Sequence, residues 1–271
     1  MFFKRIVQLL FIIGLVGLFI SFPSTGRYQG IMGNSNEFAT EMSIAFGFLH
    51  ILTTERKLKD WLLLLLFSVL VIISGSRGAL LGLFLPFLIK ERINFKTVGL
   101  LSIFIFSLYS FSSNLALENS FSRFFSEQNI WENRINEYQY AIETIKHKWI
   151  EGNGLSKSAY INQNLISAEH EEEMIGSHNG YLAILIQYGF LFGTLFFGTL
   201  IYFLFKMKRF VLLKKDTLLV KLLVYIILYA FLGAIFETTI TGINNFHTAM
   251  FWFTFGLLYY EAYDYYQLEE E

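Results

Sequence analysis

The 271-residue chain contains no cysteine and few charged residues. The absence of cysteine excludes disulfides, thiolate metal sites and a cysteine nucleophile. Only 16% of the residues are Asp, Glu, Lys or Arg, and the net charge of -1 identifies no class of partner. The sequence also shows no internal repeat and no low-complexity tract. These absences leave the structural class of the protein open, and the apolar residues indicate it.

Apolar residues dominate the composition. The chain is 54% hydrophobic, contains 31 phenylalanines and has a mean hydropathy of +0.48. This is too apolar for a water-soluble domain of such length and is typical of a polytopic helical membrane protein. We predict an all-α transmembrane bundle that forms a single membrane domain over 1–271. Lys4 and Arg5 begin a run that resembles a signal peptide, but no small-residue cleavage site follows, so an uncleaved first span is expected.

Apolar runs locate about eight spans. They lie at 6–22, 38–53, 58–74, 78–90, 97–112, 181–205, 217–236 and 247–262. The long polar segment 113–180 is predicted to form a large extracytoplasmic loop. Within this loop, the apolar residues of "WENRINEYQYAIETIKHKW" recur at helical spacing and predict an amphipathic helix from Trp131 to Trp149, ended by "GNG" at 152–154. The helix is expected to lie on the membrane face or on the other helices.

The distribution of Lys and Arg predicts the topology. These residues cluster at 4–5, 56–59, 90–96 and 206–215. A single span over 61–89 would put the second and third clusters on opposite sides of the membrane, against the positive-inside rule. A turn at 74–78 instead places all four clusters in the cytoplasm, together with both termini. The segments 23–37, 74–78, 113–180 and 237–246 then face outward.

Arg77 lies in the middle of the apolar stretch "VIISGSRGALLGL". The spans before and after it are short, roughly 25 and 20 Å against a hydrocarbon core of about 30 Å, so the turn should be recessed in the bilayer. A charge at that depth requires surrounding protein or a water-filled cavity. Arg27 and Arg134 also lie in outward segments. Guanidinium groups that converge there suit a lipid-linked diphosphate, whereas the alternative for each arginine is anchoring at the membrane surface.

His178 begins the sixth predicted span, in "SHNGYLAILIQYGFLFG". With Ser177 as the N-cap, the helix dipole favours a neutral imidazole, which can act as a general base. The alternative is a histidine that only caps the helix or lies among the headgroups. Glu237, beside another outward helix end, is a candidate to pair with an arginine or to orient His178.

The remaining polar segments are weaker candidates for a functional site. The run "EHEEE" at 169–173, which includes His170, fits no metal motif and is interpreted as a solvated acidic loop. The segment "FSRFF" around Arg123 is interpreted as an interfacial aromatic patch. His50, His147 and His247 are isolated in the sequence. We expect no metal, no cofactor and no nucleic-acid partner.

The order of four segments resembles the O-antigen ligase and O-antigen polymerase superfamily of bacteria. They are "GRYQGIMGNSNEFA", "ISGSRGALLGL", "NRINEYQYAIETIKHKWIEGNGL" and "SHNGYLAILIQYGFLFG". The resemblance extends from about 26 to 260 and corresponds to the C-terminal portion of a member or to a short member. Asn34-Ser35-Asn36 stands where the family often has Asn-Pro-Asn.

The resemblance implies a metal-independent inverting glycosyltransferase at the outer face of the cytoplasmic membrane. Its donor would be an undecaprenyl-diphosphate-linked glycan, and its acceptor a hydroxyl of a second glycan or of the lipid A core. This function belongs to lipopolysaccharide, capsule or exopolysaccharide synthesis in the cell envelope. Ligase and polymerase share the donor chemistry and differ in the acceptor, so both stay open here.

The resemblance also assigns roles to individual residues. His178 would deprotonate the acceptor hydroxyl, while Arg77 and Arg27 would bind the diphosphate and stabilise it as it leaves. Arg134 would position the long loop or contact phosphate. Asn179, Ser76 and Asn36 would support these side chains.

Two rival interpretations remain at this point. One is a flippase or transporter for the same lipid-linked glycan, in which the arginines bind phosphate but no bond is made. The other is an inactive, truncated remnant of the family.

Overall fold

The computed structural model describes residues 1–20, 27–90, 130–155, 178–242 and 245–270. These ranges contain eight helices and no strand, which confirms the all-α class. The helices are α1 (Phe2–Ile20), α2 (Ser35–Leu52), α3 (Leu58–Ile73), α4 (Arg77–Lys90), α5 (Ile130–His147), α6 (Gly180–Lys214), α7 (Leu218–Gly233) and α8 (Phe246–Glu270).

Helices lie at every predicted span that falls in the described ranges; the span at 97–112 lies outside them. Within the described residues, α1 and α6 are long and apolar enough to cross a membrane. The helix α7 is apolar but shorter. The number of spans and their orientation therefore stay predictions.

The chain forms two compact units. The first unit consists of Met1–Ser126 and Asp216–Tyr229, and the second of Glu127–Lys215 and Ala230–Glu271. Most of α7 thus belongs to the first unit and its last turn to the second. The single membrane domain expected over 1–271 stays a prediction.

The core of the first unit is α2, which packs against α1, α3 and α4. It is buried along almost its whole length because small residues let neighbouring elements approach it. A Cβ atom at Gly47 would overlap the ring of Tyr225. The hydroxyl of Tyr225 is fully buried and donates to the backbone oxygens of Ser43, at 2.8 Å, and Gly82, at 3.1 Å. Tyr225 thereby connects α7 to both α2 and α4.

The helices α3 and α4 form the hairpin that the charge distribution predicted, with its turn between Ile73 and Arg77. Ser74 ends α3 and its hydroxyl donates to the oxygen of Val71 at 2.6 Å. Gly75 follows with a φ of 66°, a backbone conformation that glycine adopts without steric cost. A turn therefore lies where it was predicted, but it covers only 74–76, because Arg77 is the first residue of α4 and Gly78 follows it in the helix.

In the second unit, α6 is interrupted at Gly189, whose φ of 67° and ψ of -177° are not helical. The segment that follows α5 lies against the break and pairs with its backbone. Phe190 N donates to Trp149 O at 2.6 Å, while Asn153 N donates to Ile186 O at 2.7 Å. A break in an apolar helix is tolerated when other backbone groups satisfy it in this way.

The helix α5 lies where the amphipathic helix was predicted, but it ends at His147, before Trp149 and before the "GNG" sequence predicted to end it. The chain leaves the helix early because Trp149–Asn153 pairs with the break in α6. The buried face of α5 also differs from its apolar stripe. Ala141 and Thr144 are buried against the unit, whereas Ile142 is exposed.

Large apolar side chains are exposed along several helices of both units. They include Leu9 and Ile12 of α1, Trp61, Leu62 and Leu65 of α3, and Phe190, Leu195, Ile201 and Phe205 of α6. Exposed apolar surface of this kind marks contact with a membrane or another protein. The described helices therefore have outer faces suited to lipid.

Candidate functional site

The candidate site in the second unit is built at the beginning of α6. Asn179 is the N-cap, and its Oδ1 accepts from the backbone nitrogens of Tyr181 and Leu182, both at 3.0 Å. The expectation that Ser177 caps this helix is wrong, because the helix begins three residues later, at Gly180. His178 consequently lies just before the cap, outside the helix.

The segment after α7 is fixed to the beginning of α6 by hydrogen bonds. Gly180 N donates to Ala234 O at 2.7 Å, and Asn179 Nδ2 donates to Ile235 O at 3.1 Å. Tyr138 of α5 donates to the same oxygen of Ile235 at 3.2 Å. Three chain segments that are distant in sequence therefore meet around His178.

His178 lies between two carboxylates. Its Nδ1 is 3.4 Å from Oε2 of Glu237, and its Nε2 is 3.7 Å from Oε1 of Glu137. The side chain of Glu137 is 11% exposed and that of Glu237 is 25% exposed, whereas that of His178 is 44% exposed. The imidazole is thus accessible to a reactant, while the flanking carboxylates are held in the protein.

This arrangement allows His178 to accept a proton. When Nδ1–H donates to Glu237, Nε2 carries the lone pair that can accept a proton. Two nearby carboxylates stabilise the imidazolium that proton transfer forms. Glu237 also interacts electrostatically with His247, a buried residue in the first turn of α8.

Glu137 was missed from the sequence, where it lies off the apolar stripe of α5. It is buried with Ala141 and Thr144, four and seven residues later on the same helix. In the sequence, this helical spacing of one acidic and two small residues was the pattern that could have indicated a buried face containing Glu137. Glu237 was identified as a candidate partner of His178, and the structure places it there.

The candidate site in the first unit surrounds Arg27. Its Nε donates to the backbone oxygen of Ser74 at 2.8 Å, and its Nη2 donates to Oδ1 of Asn36. Arg27 is therefore held between the turn of the α3–α4 hairpin and the first turn of α2. The structure brings together Arg27 and Asn36, two of the residues singled out in the sequence.

The loop that carries Arg27 is well packed. Asn34 is the N-cap of α2 and accepts from Asn36 N at 2.9 Å. Tyr28 is 2% exposed and packs edge-on against Phe38, with ring centroids 5.0 Å apart. Burial raises the pKa of Tyr28, and its hydroxyl has no hydrogen-bond partner among the described residues. This tyrosine fixes the loop by packing.

Arg77 is exposed at the first position of α4, and Ser76 just before it is buried. A cation at a helix N-terminus is disfavoured by the helix dipole. The same position is favourable for binding an anion, because free backbone N–H groups and a guanidinium can both donate to it. Arg77 thus lies where a guanidinium and the first N–H groups of α4 could donate to the same anion.

Arg134 lies in α5, one turn before Glu137, and its side chain is outside the described part of the chain. Ser177, His170 and Arg123 also lie outside the described residues. Within the described ranges, no group of three or more His, Asp or Glu residues is arranged to hold a metal ion.

The described structure is an all-helical protein with lipid-compatible outer faces and a histidine held between carboxylates. A family model described as O-antigen ligase matches residues 62–198, just over half of the chain. The chain belongs to the O-antigen ligase family. Among curated proteins, none matches this chain.

Family membership supports the broad functional class. The family is a bacterial, membrane-associated group of ligases and polymerases of the glycosyltransferase type that act on lipid-linked glycans. The matched range includes Arg77, Glu137 and His178, whereas Arg27 and Glu237 lie outside it. The resemblance found in the sequence is therefore confirmed at the level of the family.

Proposed function

We propose that this protein is a membrane glycosyltransferase that transfers a glycan from a polyprenyl diphosphate to an acceptor hydroxyl. The observation that carries the proposal is His178, held between Glu237 and Glu137 at the beginning of α6 in a chain of the O-antigen ligase family. Undecaprenyl diphosphate is the lipid carrier proposed for the donor. The acceptor is a second glycan or the lipid A core.

His178 acts as the general base in this proposal. Its Nε2 takes the proton of the acceptor hydroxyl as that oxygen attacks the anomeric carbon of the donor sugar. The bond from this carbon to the diphosphate oxygen breaks, and the polyprenyl diphosphate leaves with both electrons of that bond. Attack opposite the leaving group inverts the anomeric centre, and general base catalysis of this kind contributes about 10² to 10⁴ in rate.

Arg77 and Arg27 bind the diphosphate and stabilise its charge as it leaves. Arg77 is suited to this role by its exposure at the N-terminus of α4, where N–H groups and a planar guanidinium act on the same anion. Arg27 is already oriented by Asn36 and by the Ser74 carbonyl. Arg134 is assigned a third, supporting contact with phosphate or with the long loop.

The proposed location is the bacterial cytoplasmic membrane, with both termini in the cytoplasm and the site facing outward. Three features support it: the family is membrane-associated, α1 and α6 are long enough to span a bilayer, and large apolar side chains are exposed along α1, α3 and α6. The clusters of Lys and Arg supply the orientation.

The test is transfer by the purified full chain in proteoliposomes that contain a polyprenyl-diphosphate glycan and an acceptor glycan. Formation of the longer glycan and release of polyprenyl diphosphate are measured together. His178→Ala and Arg77→Ala should each abolish most of the transfer. Unchanged turnover in both variants would disprove the assigned roles.

Lipid translocation across the same vesicles distinguishes an enzyme from a transporter. If the protein is a transporter, the wild type should form no glycosidic bond. His178→Ala should then leave translocation intact, because transport needs no base. Parallel reactions with lipid A core as the acceptor separate a ligase from a polymerase.

A further inference from the structure

A second binding region lies in the unit that contains His178. It is a cleft of about 660 Å³ between the broken part of α6, the loop after α7 and the first two turns of α8. Cavities of several hundred cubic ångströms hold ligands of drug-like size. The proposed reaction uses no residue of this cleft, so its lining calls for a separate explanation.

The lining combines aromatic and aliphatic side chains with a smaller number of neutral polar groups. The polar members are Gln187, Thr241, Asn245 and Thr248, and the aromatic walls include Phe196 and Trp252. None of the described lining residues carries a charge. The cleft therefore suits a neutral ligand, and it does not suit the diphosphate.

Thr248 indicates what kind of neutral ligand fits. Thr248 is 5% exposed, and its Oγ1 is buried with no hydrogen-bond partner among the described residues. A buried hydroxyl without a partner costs free energy, and a ligand hydroxyl would recover it when the Thr248 side chain turns its oxygen toward the cleft. A hydrocarbon chain would leave this group unsatisfied, so the lining favours a ligand that bears hydroxyls.

The aromatic wall is fixed in place. Trp252 donates from Nε1 to the backbone oxygen of Ile240 at 3.1 Å, and its ring packs edge-on against Phe196. Trp252 is 40% exposed, which leaves part of its surface free to contact a ligand. A fixed ring with hydroxyl and amide groups around it matches a sugar, which has apolar C–H faces and a rim of hydroxyls.

The chain connects the cleft to the histidine site. The loop after α7 first contacts the beginning of α6 through Ala234, Ile235 and Glu237, and then lines the cleft with Ile240 and Thr241. A substrate whose reacting group lies at His178 can thus extend along the same loop.

We propose that this cleft is a glycan subsite that binds neutral sugar residues of the substrate by hydrogen bonds and ring contacts. This inference rests on the proposed function, because it takes the glycan to be the substrate. It adds the place where sugars beyond the reacting centre are recognised, with Thr248 as a residue that contributes to their affinity.

The experiment measures binding without any transfer. The full chain in detergent micelles is titrated, by calorimetry, with lipid-free oligosaccharide released by mild acid from the lipid-linked pool of the source bacterium. Polyprenol without sugar is the second probe. We expect the oligosaccharide to bind, and because this measurement needs no transfer, its failure can be distinguished from failure of the transfer assay.

Variants of α8 supply the matched comparison. Thr248→Val keeps the shape and removes the hydroxyl, so oligosaccharide affinity should fall about three- to tenfold. Thr254→Val is the control, because Thr254 is buried on the same helix, bonds to Met250 and Phe251 and does not line the cleft. Asn245→Ala provides a second lining variant and should also weaken binding.

Three results would overturn the inference. One is binding of polyprenol but not of the oligosaccharide, which would make the cleft a hydrocarbon groove. Another is the absence of binding by either probe in a folded sample. The third is equal affinity in wild type, Thr248→Val and Asn245→Ala.

Discussion

Nδ1 of His178 lies 3.4 Å from Oε2 of Glu237, although 59 residues separate them in the chain. The contact forms because Asn179 and Gly180 bond to the segment that directly precedes Glu237. Helix capping and the position of the carboxylate therefore depend on the same few hydrogen bonds.

Glu237→Gln should reduce transfer by slowing the chemical step. An amide cannot stabilise the imidazolium as a carboxylate does, and loss of a charged hydrogen bond of about 1.5 to 3 kcal/mol corresponds to a fall of roughly 10- to 150-fold in kcat. The measurement is kcat and KM for the donor in proteoliposomes. A rise in KM with an unchanged kcat would show that Glu237 acts in binding instead.

Glu137→Gln should also lower kcat, and it should move the acid limb of the pH profile to lower pH. The reason is that removal of a carboxylate 3.7 Å from Nε2 destabilises protonated His178. Glu237 is a second carboxylate that faces His178. The pH profile of transfer is therefore measured in both Glu137→Gln and Glu237→Gln. Glu143→Gln is the control, since Glu143 is an exposed residue of α5 that pairs with Lys146; a similar effect there would argue against a specific role for Glu137.

Arg77→Lys should restore only a small part of the activity lost in Arg77→Ala. Lysine keeps the charge but has no planar fork for two phosphate oxygens. The readout is transfer at saturating and at low donor concentration. Arg5→Ala, a change at an exposed arginine of α1, is expected to have little effect. Full activity in Arg77→Lys would indicate that charge alone suffices.

Gly189→Ala should strongly destabilise the second unit. Its positive φ disfavours any side chain, and a Cβ would overlap the oxygen of Ile150 in the segment that pairs with the break. We expect a loss of more than about 1 kcal/mol, measured as a lower unfolding temperature in detergent. Gly198→Ala, in the same helix with open space around its Cβ position, should be neutral or stabilising. Equal unfolding temperatures of the two variants would contradict this account of the break.

Two buried tyrosines should respond differently to the loss of their hydroxyls. Tyr225→Phe removes hydrogen bonds to Ser43 and Gly82 and should cost about 1 to 3 kcal/mol in the free energy of unfolding. Tyr28→Phe removes a hydroxyl that has no partner among the described residues, so stability should be unchanged or higher. Denaturant unfolding of both variants in the same detergent gives the comparison.

Several features of the fold could be predicted because they depend on local sequence. Apolar run length located the helices, and the distribution of Lys and Arg located the turn before Arg77. Gly75 and Asn34 also act locally. Gly75 adopts the positive φ of the turn, and the side chain of Asn34 caps the helix that begins at the next residue. Such interactions involve residues close in sequence, and patterns in the sequence therefore report them.

The sequence by itself determined the helical class, the hairpin around Arg77 and the resemblance to a family that the comparison confirms. Only the tertiary structure decided the true N-cap of α6, the break at Gly189 and the placement of Glu137 beside His178. Glu137 looks like a surface residue of an amphipathic helix when it is read alone. Its burial follows from the packing of small residues on α5 against α6, and contacts between distant segments of this kind leave no periodic signal in the sequence.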